Sequence, residues 1–480
     1  MEEKVLHWIE GAWTSLDHEE SLPVYDPSTG RVQATVTMAR ASDLDRAVQA
    51  AYRAFGEWRN TPVPQRSRIM FKFRDLLEQH RANLAQSVTL ENGKNHAEAY
   101  AEVGRGIEVV EFACGAPTLM QGDALPNVSR GIDTIMLRYP LGVVGGITPF
   151  NFPAMIPLWM LPLALVTGNV MVLKPSERTP RTSVAIVELL LEAGLPDNVI
   201  QLVHGGEDVV NGLLTHPLVS AVSFVGSEPV AAHVYRTAAA HGKRVQALAG
   251  AKNFHIVMPD AHLAKSVHAI VGSAFGSAGE RCLAASVVLA VGDIGDRLVS
   301  SLTEAAGRLR LGGSGQEYDL GPVIRSSHRD RILGHIEAGV NEGAVLVRDG
   351  RTEAKDREGF FLGATIFDQV DPSMRIAREE IFGPVLSILR TESLDSAIQI
   401  ANRSQFGNTA SIYTQNGGVV RQFRETIEAG MLGVNVGVAA PMAFFPFSGW
   451  KNSFYGDLHA TGRDAIEFYT DKKVITSRWF

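Results

Sequence analysis

The sequence predicts an α/β protein of two domains, each built on a largely parallel sheet. Three observations lead there. Short β-branched runs alternate with helical stretches from residue 134 onward, which is the pattern of strands joined by crossover helices. The apolar strands, such as Val170-Met-Val-Leu173, run without polar alternation, as strands covered on both faces do. A second set of strands and helices then begins near residue 250, and 480 residues exceed what one core organises.

Ahead of the alternation, residues 43–56 and 62–90 read as amphipathic helices. In the second, Ile69, Phe73, Leu76, Leu77 and Leu84 recur at helical spacing between charges. Glu98 to Ala113 is helical by the same criterion. Strands follow at 135–139 and 143–147, a helix at 153–165, a strand at 170–173, a helix at 183–193, and strands at 200–203 and 219–224. The second set comprises a strand at 255–258, a helix at 263–275, a strand at 287–291, helices at 301–309 and 329–342, strands at 344–347 and 387–389, and a helix at 394–402. The C-terminal run 465–475 reads as a strand able to extend a sheet edge.

Composition excludes several classes. A net charge of −7 offers no basic face to nucleic acid or an anionic membrane. Two cysteines, Cys114 and Cys282, are too few for a disulfide framework and point to a reducing compartment. The first residues lack a basic stretch followed by an apolar one, so no signal peptide is expected. The most apolar window, 152–172, is interrupted by Pro153, Pro157, Pro162, Gly168 and Asn169, against a membrane span. A cytoplasmic enzyme is the expectation. The histidines form no metal-binding spacing, and no metal is expected.

Four short segments carry chemistry. Cys282 lies in Gly276-Ser-Ala-Gly-Glu-Arg-Cys282, just past glycines that permit a sharp turn, and the preceding Arg281 can favour its thiolate. Thr148-Pro-Phe-Asn-Phe-Pro153 follows a strand; Asn151 there can donate to an oxyanion or simply cap the next helix. Lys174-Pro-Ser-Glu177 stands at the carboxyl end of a strand, where open α/β sheets bind ligands. Gly226-Ser227 ends another strand and opens a helix whose N-terminus suits a pyrophosphate. Neither usual phosphate-binding glycine fingerprint is present.

Taken in chain order, together with Glu379-Glu-Ile-Phe-Gly-Pro384, these blocks resemble the NAD(P)-dependent aldehyde dehydrogenase superfamily over nearly the whole chain. The resemblance implies a Rossmann-type NAD-binding domain (1–122 and 142–248), an α/β catalytic domain (249–440) and a small β oligomerisation arm (123–141 and 463–480). It implies Cys282 as nucleophile and Asn151 as the oxyanion donor. Thr148, Phe150, Lys174, Glu177, Arg178, Gly226, Ser227, Ala249, Glu380 and Phe382 then fall to the cofactor. The carboxylate of Glu177 would repel a 2′-phosphate, favouring NAD.

One block departs from the family pattern. Where most members have Glu-Leu-Gly-Gly-Lys, with the glutamate activating water, this chain has Leu248-Ala-Gly-Ala-Lys252. Leucine accepts no proton, so hydrolysis of a thioacyl enzyme should be slow. Coenzyme A, with an intrinsically better nucleophile, needs less help. This block, Gly-Glu-Arg-Cys282 and Gly-Asp-Leu458 are most similar to the CoA-acylating methylmalonate/malonate-semialdehyde dehydrogenase branch, which typically has asparagine at position 248. That branch holds the substrate carboxylate with two arginines, here Arg105 and Arg281. The resemblance implies NAD as cofactor, CoA as cosubstrate, a small semialdehyde as substrate, and a homo-oligomer, dimer or tetramer. The alternative is a hydrolytic dehydrogenase releasing a free acid. The residues do not choose between malonate and methylmalonate semialdehyde.

Overall fold

The computed structural model describes residues 3–480. Two large sheets organise them. The first has eight strands, in the order Phe454–Gly456, Arg244–Leu248, Val219–Val225, Val143–Ile147, Val170–Lys174, Ile200–Leu202, His7–Ile9 and Ala12–Thr14. Its five central strands are parallel, and the outer ones are antiparallel additions. Val143–Ile147 and Val170–Lys174 are buried along their whole length, which is why they lack polar alternation. The second sheet has seven strands: Val345–Arg348, Thr365–Asp368, Val385–Thr391, Val287–Val291, Phe254–Val257, Thr409–Tyr413 and Met431–Val434. All its pairings are parallel except the first. Each sheet has its own apolar core.

The helices cover these sheets. The long 62–90 pattern is two helices, Val63–Gln79 and Arg81–Asn92, broken at His80. Apolar spacing carries across the break because Phe73, Leu77, Leu84 and Val88 all face the same core. The C-terminal stretch also differs from expectation. Residues 465–468 belong to a helix, Gly462–Phe468, and only Thr470–Arg478 is strand. Ala465, Ile466, Phe468 and Tyr469 are buried in the larger core at helical spacing, which overrides the β-branched residues that follow. Thr470–Arg478 pairs with Ile132–Pro140 along its full length, and Asp123–Ser129 completes a three-stranded arm. Val474 is 67% exposed on that arm. Among the described residues, no helix is long and apolar enough to cross a membrane.

Candidate active site

Cys282 sits where two cavities meet. One, of about 480 Å³, is lined by Glu98, Arg105, Phe152, Trp159, Arg281 and Phe447 among others. The other, of about 530 Å³, is lined by Phe150, Asn151, Arg178, Gly226, Ser227, Ala249, Glu380 and Phe382. Cys282 and Phe152 are the two residues that line both.

The loop that carries the cysteine is held in an unusual conformation. After the helix Leu263–Phe275 ends, Ser277 and Ala278 both adopt left-handed backbone angles, with φ of 50° and 53°. Non-glycine residues there cost on the order of 1–2 kcal/mol each. Three contacts hold the strain in place. The Ser277 N–H donates to the Glu98 carboxylate at 3.0 and 3.2 Å. At Gly279, with φ +71°, an added Cβ would collide with the Gly383 carbonyl, so the loop lies directly against the Glu380–Pro384 turn. Beyond the thiol, the Cys282 carbonyl accepts from Asn253 Nδ2 at 2.9 Å and Asn408 Nδ2 at 2.8 Å.

Arg281 favours the thiolate as expected, but burial outweighs it. Burial, with Glu380 nearby, pushes the Cys282 thiol up to about 12; the backbone N–H groups of Cys282 and Leu283 and the charge of Arg281 offset only part of that. Arg281 therefore does not by itself make a thiolate. Three of its five guanidinium N–H groups are engaged, donating to Glu98 at 2.7 Å, to Ser277 Oγ at 3.1 Å and to the Gly272 carbonyl at 3.3 Å, which leaves two for a ligand.

Arg105 faces the same cavity from the helix His96–Cys114 and is paired in turn. It donates to Glu108 at 2.7 Å and to the Pro441 carbonyl at 2.5 Å. The two arginines predicted to receive a substrate carboxylate thus line one cavity with Cys282, each beside a carboxylate of its own.

Asn151 is not a helix cap, because the following helix starts only at Met155 with Ala154 before it. Its Nδ2 donates to the Glu280 carbonyl at 2.8 Å, tying it to the cysteine loop and leaving one amide N–H free to donate to another acceptor. A buried ion pair supports it from below. Lys94 donates to Glu102 at 2.5 Å and to the Asn151 carbonyl at 2.7 Å, while Glu102 accepts the N–H groups of Ala154 and Met155. Sequence reading missed Lys94, Glu98 and Glu102. The only available signal was their density in Lys94-Asn-His-Ala-Glu98-Ala-Tyr-Ala-Glu102, which reads as a polar helix start.

Seven of the ten residues expected at the cofactor line the larger cavity: Phe150, Arg178, Gly226, Ser227, Ala249, Glu380 and Phe382. Phe150 and Phe382 meet edge to face at 5.9 Å, and the Arg178 guanidinium lies 4.9 Å over the Phe150 ring. Burial raises the Glu380 carboxyl to about 7; Oε1 accepts from the Ala251 N–H at 2.9 Å. Thr148, Lys174 and Glu177 stand outside that cavity. Thr148 is buried at a strand end, where its N–H donates to the Lys174 carbonyl. Lys174 Nζ is turned inward to the carbonyls of Pro175 and Gly205, at 2.7 and 3.0 Å. Glu177 lines an adjoining cleft with Arg178 and Arg325.

The larger cavity fits a dinucleotide. Ser227 occupies the N-cap of the helix Glu228–Ala240 but its hydroxyl makes no cap bond, which leaves the N–H groups of Glu228 and Val230 available, Pro229 between them having none. At Gly250 a Cβ would meet Glu380 Oε2 at 2.7 Å, so the backbone and this carboxylate converge on the cavity without a side chain between them.

Leu248, at the end of its strand, is buried in the core and lines neither cavity.

Comparison with known proteins agrees with this architecture. The model of the aldehyde dehydrogenase family matches residues 13–475. A malonate-semialdehyde dehydrogenase of Geobacillus kaustophilus is 60% identical over 475 residues, covering 98% of each chain. That of Halalkalibacterium halodurans is 58% identical over 478 residues, covering 99% of each. Among solved structures, the methylmalonate-semialdehyde dehydrogenase of Oceanimonas doudoroffii superposes with a TM-score of 0.98 at 46% identity, over 99% of this chain and 98% of that one. A Sinorhizobium meliloti protein described as a methylmalonate-semialdehyde dehydrogenase, complexed with NAD, superposes with a TM-score of 0.98 at 42% identity, over 100% of this chain and 98% of that one. On a model match spanning almost the whole sequence and relatives of this identity, the chain belongs to the aldehyde dehydrogenase family.

Proposed function

We propose that the protein is an NAD-dependent, CoA-acylating dehydrogenase of malonate semialdehyde, methylmalonate semialdehyde or both. The observation that carries this reading is the position of Cys282 between a cavity fitted to a dinucleotide and a second cavity holding two arginines. The names of the relatives supply the substrate class.

The residues divide the work as follows. Arg105 and Arg281 orient the substrate carboxylate, so that the aldehyde carbon of a three-carbon acid reaches the thiol. The Cys282 thiolate, its proton passed to solvent, attacks it, and the free amide N–H of Asn151 stabilises the resulting oxyanion. When bound, NAD⁺ supplies the hydride acceptor and a positive charge near the thiol. Ser227 with the N–H groups of Glu228 and Val230 would hold its pyrophosphate, Glu177 its ribose, and Glu380 with Phe382 its nicotinamide half. Leu248 provides no base for water, so the acyl group leaves Cys282 on CoA after loss of the β-carboxylate. Propanoyl-CoA or acetyl-CoA results. Glu98 does not replace the base, because it accepts from both Arg281 and the Ser277 N–H.

One observation favours hydrolysis instead. Glu380 lines the cavity with Cys282, and its carboxyl sits near 7, where a general base works best. The test is NADH formation from each semialdehyde with and without CoA, with mass identification of the product. Turnover that requires CoA and yields a thioester supports the proposal. Equal turnover without CoA, yielding free acid, overturns it in favour of Glu380-assisted hydrolysis.

The remaining assignments belong to the same proposal. Residues 1–122 and 142–248 form the dinucleotide-binding part and 249–440 the catalytic part, supported by the two separate cores. The arm strands, with Val474 and Ile475 exposed, pair with neighbouring subunits in a dimer or tetramer. Both cysteines are free, in keeping with a cytoplasmic enzyme.

A further inference from the structure

We infer that Glu98 sets the charge of the substrate cavity and the conformation of the nucleophile loop together, as a positioning residue for both Arg281 and Cys282. The inference deepens the function proposed above and rests on its assignment of this cavity to the substrate.

Two independent sets of contacts converge on the Glu98 carboxylate. Its Oε1 accepts the Arg281 guanidinium at 2.7 Å, and both oxygens accept the Ser277 N–H. Arg281 closes the ring by donating from Nε to Ser277 Oγ. The ring therefore spans the left-handed pair Ser277–Ala278 and ends one residue before the nucleophile. At 18% and 21% side-chain exposure, Arg281 and Glu98 are shielded enough for charge-assisted bonds to hold a backbone that local sterics disfavour.

Charge follows from the same geometry. Arg281 is paired with Glu98 and Arg105 with Glu108, both at 2.7 Å, so the two cations of the cavity arrive compensated. A carboxylate is then selected by the direction of the remaining guanidinium N–H groups and not by a net positive field. The two glutamates differ in one respect. Glu108 pairs along its own helix, three residues from Arg105, whereas Glu98 bridges to the cysteine loop 183 residues away.

Alkylation of Cys282 by iodoacetate and iodoacetamide, followed by peptide mass analysis, reads both roles without turnover. The first reagent carries a carboxylate and the second is neutral. Glu98→Gln keeps an acceptor for Ser277 but removes the charge. It should raise the iodoacetate-to-iodoacetamide rate ratio by about threefold to tenfold while leaving the iodoacetamide rate within about twofold. Glu98→Ala removes the brace. It should hydrate the thiol and speed iodoacetamide alkylation by at least about fivefold, while kcat for a neutral aldehyde falls. Glu108→Ala should leave the iodoacetamide rate unchanged.

An unchanged ratio in Glu98→Gln overturns the charge-setting role. Equal iodoacetamide rates in Glu98→Ala and wild type overturn the loop-bracing role. Because neither readout uses the semialdehyde, they stand apart from any failure of the proposed activity, which NADH formation by the wild-type enzyme measures separately.

Discussion

Replacing Lys94 with methionine should unseat Asn151 and destabilise the fold at the same time. Lys94 and Glu102 are each 1% exposed and in contact at 2.5 Å, with Nζ also held by the Asn151 carbonyl and lying 4.0 Å over the Phe152 ring. Methionine fills a similar volume but removes the cation. Breaking a buried pair in this way costs about 3–5 kcal/mol, because the remaining charge has no counterion. The Asn151 carbonyl loses a donor as well, a further ~1–3 kcal/mol if water does not reach it. Since both losses come from one ammonium they do not add fully, and a net loss of about 4 kcal/mol is expected, or roughly a thousandfold in an equilibrium constant. Guanidinium midpoints of wild type, Lys94→Met, Glu102→Gln and the double variant, at one protein concentration, measure the pair. The kcat of Lys94→Met on a neutral aldehyde reports the displacement of Asn151, with a loss of at least about tenfold expected. A Lys94→Met midpoint equal to wild type, or an additive double variant, would refute the energetics of the pair, and an unchanged kcat would refute its coupling to the site.

Other predictions address the chemistry. Asn151→Ala should lower kcat by about a hundredfold to a thousandfold with a smaller change in KM, as measured by steady-state NADH formation. It should also leave the Glu280 carbonyl without its donor, a cost of about 1–3 kcal/mol read as a lower denaturation midpoint. With the thiol raised to about 12, alkylation of Cys282 in the absence of NAD⁺ should climb about tenfold per pH unit between 7 and 9 without a plateau, and a plateau near 8 would show that Arg281 outweighs burial. Gly279→Ala has no room against the Gly383 carbonyl, so the cysteine loop and the Glu380–Pro384 turn must separate. NAD⁺ affinity by calorimetry and NADH formation should both fall by at least about tenfold.

The extent to which this architecture is legible in sequence depends on what each segment buries. The strands Val143–Ile147 and Val287–Val291 and the helices Leu263–Phe275 and Leu394–Asn402 match their sequence-read bounds because their apolar residues announce one period without competition. Thr409–Tyr413 was not legible as a strand. Thr409 and Ser411 are buried there, and Thr409 Oγ1 satisfies itself on the Met431 carbonyl, so polar letters occupy core positions. The strands His7–Ile9 and Ala12–Thr14 are too short to show a period at all. In the site, Cys282, Asn151 and Glu380 stand in compact motifs at strand and helix ends. Lys94 and Glu102 lie eight residues apart, but what gives Lys94 and Glu98 their place in the site is contact with Asn151 and Arg281, 57 and 183 residues away, which no local pattern encodes.

The left-handed turn at Ser277–Ala278 also bears on how such an enzyme can be made more robust. Glycine at either position would relax the backbone; at Ala278 it costs no side-chain hydrogen bond, whereas at Ser277 it also removes the Oγ that accepts from Arg281, so a screen for heat resistance that ignores turnover should enrich Ala278→Gly ahead of Ser277→Gly. The same changes would free the segment to sample conformations in which the thiol no longer faces the junction of the two cavities. Robustness and turnover are thus set against each other at two adjacent residues, and a stabilising programme for this scaffold has reason to keep both of them fixed while searching elsewhere.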